Sequence, residues 1–302
     1  MNKYKGLEEI LDKGSIRYNE PMKKHTTMKV GGPCECMVEP SSIEEIQKII
    51  EYSKKNNIKY YVIGNGSNLL VKDEGVNALI IKISNKFSTV EVNGEHVKAY
   101  SGCSVPKLSQ IAKENSLSGL EFACGIPGSV GGGIRMNAGA YGSEMVNVVE
   151  KVGFLDENGN LNEIDGKDAN FTYRHSMFVE NPEYVVVYAI YKLQKGNKEE
   201  ISRVMEENMN SRKQKQPIEY PNFGSVFKRP EGYFVGKLVD DCGLKGYKIG
   251  GAQVSTKHSG FMINAGDATC KDVLDLIEYV KEKVYEKFNV KLQEEVVILG
   301  GN

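Results

Sequence analysis

Gly125-Ile126-Pro127-Gly128-Ser129-Val130-Gly131-Gly132-Gly133 is where glycine concentrates in this chain. Asn137-Ala138-Gly139-Ala140-Tyr141-Gly142 follows closely, and an earlier cluster, Gly64-Asn65-Gly66-Ser67-Asn68, comes directly after the apolar run Tyr60–Ile63. A glycine-rich turn after a strand exposes backbone N–H groups, and no Cβ keeps a phosphate from approaching them. Two such turns, with Ser and Asn adding short donors, suit the two phosphates of a dinucleotide. They suit plain tight turns equally well, since glycine is the default turn residue. Neither cluster is a Rossmann fingerprint: Gly64-x-Gly66 lacks the third glycine, and no acidic residue marks a ribose site. No glycine precedes Lys-Ser or Lys-Thr, so there is no Walker loop either. A dinucleotide would have to be held by another route.

Around these turns the pattern is α+β. Residues 41–56 read as a helix, with Ser42 and Glu45 in capping-box spacing and Ile43, Ile46, Ile49 and Ile50 as the buried stripe. Strands are expected at Lys59–Ile63, Ala78–Ile83, Thr89–Val92 and Val97–Tyr100. A helix over Val105–Leu117 carries Pro106 in its first turn and Gly119 beyond its end. Phe154–Leu161 reads as a hairpin around Asn158-Gly159, and Tyr184–Leu193 as a long strand of β-branched and aromatic residues. Past residue 195 come three helices (Glu199–Lys215, Tyr233–Asp241 and Cys270–Phe288) and a last strand, Val296–Leu299. Residues 1–195 are expected to form one α+β domain, with subdomains of about 1–83 and 84–195, and 198–302 a smaller one.

The 302 residues include 39 Lys and Arg against 40 Asp and Glu, a net charge of −1, so no basic field draws the chain to nucleic acid. No apolar run is long enough to cross a bilayer. The N-terminus carries charge where a signal peptide needs an apolar core, so a cytoplasmic location is expected. Six cysteines are too few for a disulfide scaffold, and Cys34-x-Cys36 has no second ligand pair, so no metal site is expected.

Three other segments carry candidate chemistry. Tyr173-Arg174-His175-Ser176 is a dense polar group, expected at the end of a short helix. Its Arg offers a planar fork for a carboxylate or phosphate, although a surface Arg is usually solvated. Pro221-Asn222-Phe223-Gly224-Ser225-Val226-Phe227-Lys228 sets a Ser between large aromatics that could dry its surroundings. A lone Ser after Gly is more often a cap or turn, and the absence of a Gly-x-Ser-x-Gly elbow counts against a hydrolase. Glu294-Glu295 precedes the last strand, where one carboxylate could point inward and both could equally be solvated.

Taken together, these segments resemble the UDP-N-acetylenolpyruvoylglucosamine reductase (UDP-N-acetylmuramate dehydrogenase) family. The likeness runs from His25-Thr26-Thr27-Met28-Lys29-Val30-Gly31-Gly32-Pro33 to Glu295-Val296-Val297-Ile298-Leu299-Gly300, roughly nine-tenths of the chain. It implies a two-part FAD-binding domain of the vanillyl-alcohol-oxidase (PCMH) type and a smaller α+β substrate-binding domain. It also implies NADPH-dependent reduction, through FAD, of UDP-N-acetylglucosamine enolpyruvate to UDP-N-acetylmuramate for peptidoglycan. By this resemblance the FAD contacts are Gly64, Asn65, Gly66, Ser67, Asn68, Leu69, Gly125, Ile126, Pro127, Gly128, Ser129, Gly131, Gly132, Asn137 and Ala138. Arg174 matches the family's active-site Arg, Ser225 its proton donor and Glu295 its acidic residue. Tyr173, Arg212 and Lys215 are candidate substrate contacts, the last two for UDP or NADPH phosphates, although a charged helix end is as often merely solvated. The chain has no room for the insertion that carries a substrate-covering Tyr in longer members, so it is similar to the compact subgroup. Covalent relatives attach flavin through a His in the first glycine turn; that turn holds Asn65, Ser67 and Asn68, so a dissociable FAD is expected. A monomer is expected. The alternative is another FAD-dependent oxidase or dehydrogenase of this fold, acting on a small alcohol or hydroxy acid.

Overall fold

The structure, a computed structural model, describes residues 3–301. The chain folds as two units. The first comprises Met1–Asn19, Glu35–Asn65 and Ala78–Asn210; the second comprises Glu20–Cys34, Gly66–Asn77 and Ser211–Asn302. The division differs from the expected linker near 196. Two short N-terminal segments join the C-terminal residues, because Leu69–Val71 pairs in parallel with Val297–Leu299 and the Gly32 N–H bonds the Lys72 carbonyl.

The first unit is built on two sheets. A four-stranded sheet runs in the order Ile16–Pro21, Pro33–Val38, Val76–Lys82, Tyr60–Ile63, the last two parallel. Helix Ile43–Lys55 buries Ile46, Ile49 and Ile50 in one core with Cys36, Val38, Leu79 and Ile81. Its Ser42 hydroxyl accepts the Glu45 N–H at 3.1 Å, a cap worth about 1 kcal/mol. Glu45 reaches back to the Ser41 N–H rather than to that of Ser42, so the expected reciprocal box is shifted by one residue. The second sheet has five antiparallel strands in the order Leu161–Asp165, Val149–Leu155, Val185–Lys192, His96–Tyr100, Val90–Asn93. Its core includes Val105, Leu108 and Ala112 of helix Val105–Glu114. That helix stops three residues before the expected Leu117: Asn115 caps it, Ser116 turns left-handed (φ 55°), and Leu117-Ser118 pairs as a strand with Gln194-Lys195.

The second unit is a four-stranded antiparallel sheet, in the order Asn222–Ser225, Phe261–Asn264, Ala252–Val254, Lys248–Ile249. Helices Val235–Asp241 and Cys270–Phe288 share its core, through Leu238 and Val239 on one and Val273, Leu276, Ile277, Val280 and Val284 on the other. Thr269 and Asp272 close a full capping box on the longer helix, and the Asp73 carboxylate accepts the N–H groups of Cys270 (2.8 Å) and Lys271 (2.9 Å). These contacts meet helix-start donors that would otherwise lack partners. No helix among the described residues is long and apolar enough to cross a membrane, and none of their His, Cys, Asp and Glu side chains cluster as a metal site.

Candidate active site

In the first unit, the two glycine clusters meet. A Cβ on Gly64 would lie 2.2 Å from the Ser129 Oγ, so only glycine lets the turn after Tyr60–Ile63 approach the second cluster this closely. The Asn65 amide donates to the Pro127 carbonyl at 3.3 Å. Beyond Ser129, which caps helix Val130–Arg135, the backbone donors are consumed inside the protein. The Val130 N–H bonds Cys103 O, Gly131 bonds Ser101 O, and Gly132 bonds the Ser129 hydroxyl. Gly131 also packs on Ser101, whose Cβ would sit 2.9 Å from an added methyl. Gly131 and Gly132 therefore shape the turn, while the N–H groups of Gly128 and Ser129 have no backbone carbonyl partner among the described residues. A cradle of close-packed glycines with open N–H groups at its tip fits a pyrophosphate.

Asn137 and Ala138 leave this cradle. Asn137 is fully buried, and its amide is spent on Glu144 (2.7 Å), the Thr172 carbonyl (3.1 Å) and the Val146 N–H (3.0 Å). Its side chain therefore serves the protein rather than presenting itself to a ligand. The Ala138 N–H bonds Gly133 O.

Tyr173 and Arg174 do not end a helix as expected. Thr172 and His175 exchange both backbone hydrogen bonds (3.1 and 3.2 Å), leaving Tyr173-Arg174 as the tip of a two-residue turn, and the short helix Met177–Glu180 follows instead. Arg174 adopts φ 54°, the left-handed region uncommon for a residue with a side chain. Its guanidinium donates to Gly139 O at 3.3 Å and lies over the half-exposed Tyr173 ring, 5.0 Å from the centroid. Gly139 is itself fixed: a Cβ there would stand 2.7 Å from the Glu144 side chain and from Ser143 O.

The second unit brings three of the remaining candidates together. Asn222 Oδ1 accepts the Gly224 N–H at 3.0 Å, Gly224 takes φ 86°, and the register with Phe261–Asn264 slips between Asn222 and Ser225. This is a bulge of the kind that re-aims a side chain. It leaves Ser225 exposed, while Phe223 and Phe227 are buried in the core, so the aromatics anchor the strand and do not dry the serine. The next residue, Val226, accepts the Glu295 N–H at 2.8 Å, and the Asn68 amide donates to Glu295 O at 3.0 Å. Ser225, Glu295 and Asn68 thus lie on backbone segments bonded to one another. The adjacent Glu294 is tied into the fold. Burial pushes its carboxyl upward, but a hydrogen bond from Lys281 at 2.8 Å and its own backbone hold it below the ordinary range.

In the same unit Gly66 (φ 63°) lies so close to the His25 carbonyl that an added Cβ would stand 2.0 Å from its oxygen, and the Gly66 carbonyl accepts the Thr27 N–H at 3.2 Å. The His25-Thr26-Thr27 segment thereby fixes the Gly66–Leu69 half of the first glycine cluster. Arg212 and Lys215 lie in the last turn of helix Lys198–Lys215, where cations complement the helix dipole. Composition and spacing did not single out Asn137, Glu144 or Gly139 as the residues around Arg174, because the contacts join turns more than thirty residues apart.

Residues 34–165 match the FAD binding domain family, and residues 216–299 match the UDP-N-acetylenolpyruvoylglucosamine reductase C-terminal domain family. The chain is 49% identical to the UDP-N-acetylenolpyruvoylglucosamine reductase of Caldanaerobacter subterraneus subsp. tengcongensis, over 97% of both chains. It is also 49% identical to that of Clostridium novyi, over 98% of this chain and 96% of the relative. The crystal structure of the Thermus caldophilus UDP-N-acetylenolpyruvylglucosamine reductase superposes with a TM-score of 0.82 at 36% identity, covering 93% of this chain and 97% of that one. Phl p 4, a grass pollen allergen with glucose dehydrogenase activity, shares the fold alone, with a TM-score of 0.53 at 15% identity over 65% of this chain and 45% of its own. Its match covers about two thirds of this chain, whereas the reductases match over nearly the whole of it. The chain belongs to the UDP-N-acetylenolpyruvoylglucosamine reductase family and is an FAD-dependent oxidoreductase.

Proposed function

We propose that this enzyme reduces the enolpyruvyl ether of UDP-N-acetylglucosamine to the lactyl ether, giving UDP-N-acetylmuramate for peptidoglycan synthesis, with NADPH as the donor. The observation that carries this reading is the 49% identity to named reductases over nearly the whole of both chains. FAD supplies the hydride carrier between the nicotinamide and the substrate. Gly64, Asn65, Gly128 and Ser129, with Gly66 to Leu69, would hold its pyrophosphate, and Gly125, Ile126, Pro127, Gly131 and Gly132 would shape the turn around it.

The chain's own groups act on the substrate. Hydride delivery to C3 of the enolpyruvyl group leaves negative charge on C2 and the adjoining carboxylate, and preorganised donors there lower the barrier. Arg174 holds that carboxylate with its planar fork. Ser225 gives its hydroxyl proton to C2, which completes the new C–H bond and saturates the double bond. A hydroxyl is a weak acid, so this donor relies on position and on the basicity of the enolate it meets. Glu295 polarises the same centre or steers the proton back to Ser225. Tyr173 would contact the substrate, and Arg212 and Lys215 phosphates of UDP or NADPH.

The test follows NADPH absorbance with the purified protein and UDP-N-acetylglucosamine enolpyruvate. Rapid oxidation that depends on this substrate is expected. Turnover of small alcohols or hydroxy acids, with the enolpyruvyl compound left untouched, would transfer the protein to the oxidase and dehydrogenase branch of the fold.

A further inference from the structure

We infer that Asn137 is a positioning residue for the substrate-binding arginine, and that it works through the Tyr173-Arg174 turn rather than on FAD. The inference rests on the role proposed above for Arg174. An Asn side chain carries two amide hydrogens and one acceptor oxygen. Here both hydrogens are used, one on the Glu144 carboxylate at 2.7 Å and one on the Thr172 carbonyl at 3.1 Å, and the oxygen accepts the Val146 N–H at 3.0 Å. The partners fix the orientation of the amide, because a carboxylate and a carbonyl can only accept and a backbone N–H can only donate.

Thr172 is the base of the turn: its N–H and C=O close on His175, and Tyr173-Arg174 form the tip. The other side of the clamp holds the arginine itself. Glu144 belongs to the strand pair Gly139-Ala140 with Ser143-Glu144, and Gly139 O receives the Arg174 guanidinium at 3.3 Å. Asn137 therefore ties together the two backbone segments between which Arg174 is oriented, one at the turn's base and one at its acceptor. The turn needs such a tie, since Arg174 sits at φ 54° with a side chain that disfavours it.

Asn137 has a backbone reason of its own to be Asn: it takes φ 41°, which Asn tolerates better than most residues. Asn137→Gly separates the two roles, because glycine keeps the backbone conformation and deletes the amide. Three quantities are measured on the FAD-loaded enzyme: flavin reduction by NADPH, reoxidation by UDP-N-acetylglucosamine enolpyruvate in stopped flow, and the FAD dissociation constant. A misplacement of about 1 Å in a positioned group can cost about 10²-fold, so Asn137→Gly should slow reoxidation by about tenfold or more. Flavin reduction and FAD affinity should stay within about twofold on the same grounds. In an Arg174→Ala background the extra loss should shrink to about twofold, because the group being positioned is gone.

Wild-type reoxidation in Asn137→Gly overturns the inference. Equal slowing of both half-reactions, a weakened FAD complex, or a full additional loss on top of Arg174→Ala overturns it too. If Asn137→Gly does not fold, Glu144→Ala decides from the other side of the clamp: a smaller but equally selective loss sustains the inference, and none overturns it. Should Arg174→Ala itself reoxidise normally, the reading of Arg174 fails first. That outcome is distinct from a damaging Arg174→Ala beside a harmless Asn137→Gly.

Discussion

At Ser225 the backbone does what the side chain cannot do for itself. The side-chain amide oxygen of Asn222 and the left-handed Gly224 set a bulge that leaves Ser225 exposed, one residue before Val226, whose carbonyl receives the Glu295 N–H. Ser225→Ala should leave flavin reduction by NADPH intact and lower substrate-dependent turnover by about 10²-fold or more, the usual cost of losing a positioned acid. Separate stopped-flow measurement of the two half-reactions checks this, and equal damage to both would make Ser225 a structural residue. Nearby, His258 is read by its surroundings. Burial lowers its pKa from 6.5, against a weaker upward pull from its own backbone and Asp240; its Nδ1 accepts the Gly260 N–H at 3.1 Å, so the neutral ring carries its proton on Nε2. Below pH 6.5 the unfolded chain takes up this proton before the folded one does, so stability falls as pH falls from 6.5 toward the lowered folded value. Chemical denaturation from pH 7.5 to 5 should show a shallower decline in His258→Gln than in the wild type. An unchanged slope would mean that the ring titrates alike in both states.

Helix Cys270–Phe288 shows an element held at its first turn by a distant loop. Asp73→Ala should destabilise the protein by about 1 kcal/mol, the typical worth of a helix cap, with Asp73→Asn recovering part of it; urea melts measure both. The same helix explains what was legible in the sequence. Its range, Cys270–Phe288, agrees with the expectation from the sequence, and the structure shows its ends set locally, by the Thr269–Asp272 capping box and the left-handed Asn289. The turn at Tyr173-Arg174 departs from the expected helix end because nothing in its neighbourhood announces a left-handed arginine; the base of the turn, Thr172, bonds an amide 35 positions upstream. Ser225 and Glu295 were recognisable as separate motifs, yet their pairing follows from the Glu295 N–H reaching Val226, a contact no spacing encodes. The glycine clusters lay between these cases. Their residue types were plain, but the steric demand at Gly64 exists only once Ser129 is packed against it.

For the molecule as a whole, ligand binding and folding are linked. The first glycine turn offers Asn65, Ser67 and Asn68 but no histidine, so FAD should come away when the protein is denatured, with the yellow colour passing through an ultrafiltration membrane. Colour retained on the polypeptide would show a covalent bond. Added FAD at 100 times its dissociation constant should raise stability by about 2.7 kcal/mol if it binds only the folded state, which thermal melts at graded FAD will register. The parallel pairing of Leu69–Val71 with Val297–Leu299 carries a different kind of consequence, one of timing. At about 5–20 residues per second, the ribosome needs roughly 11–45 s to travel from Val71 to the partner strand. During that interval the apolar Leu69-Leu70-Val71 segment waits without the strand that will cover its edge, and the second unit cannot close. The first unit has all its residues by Asn210 and meets no such delay. Vectorial synthesis thus orders the two units in time, and it makes the interval before Val297 emerges the period in which this chain is most exposed to chaperones, proteases and misassociation.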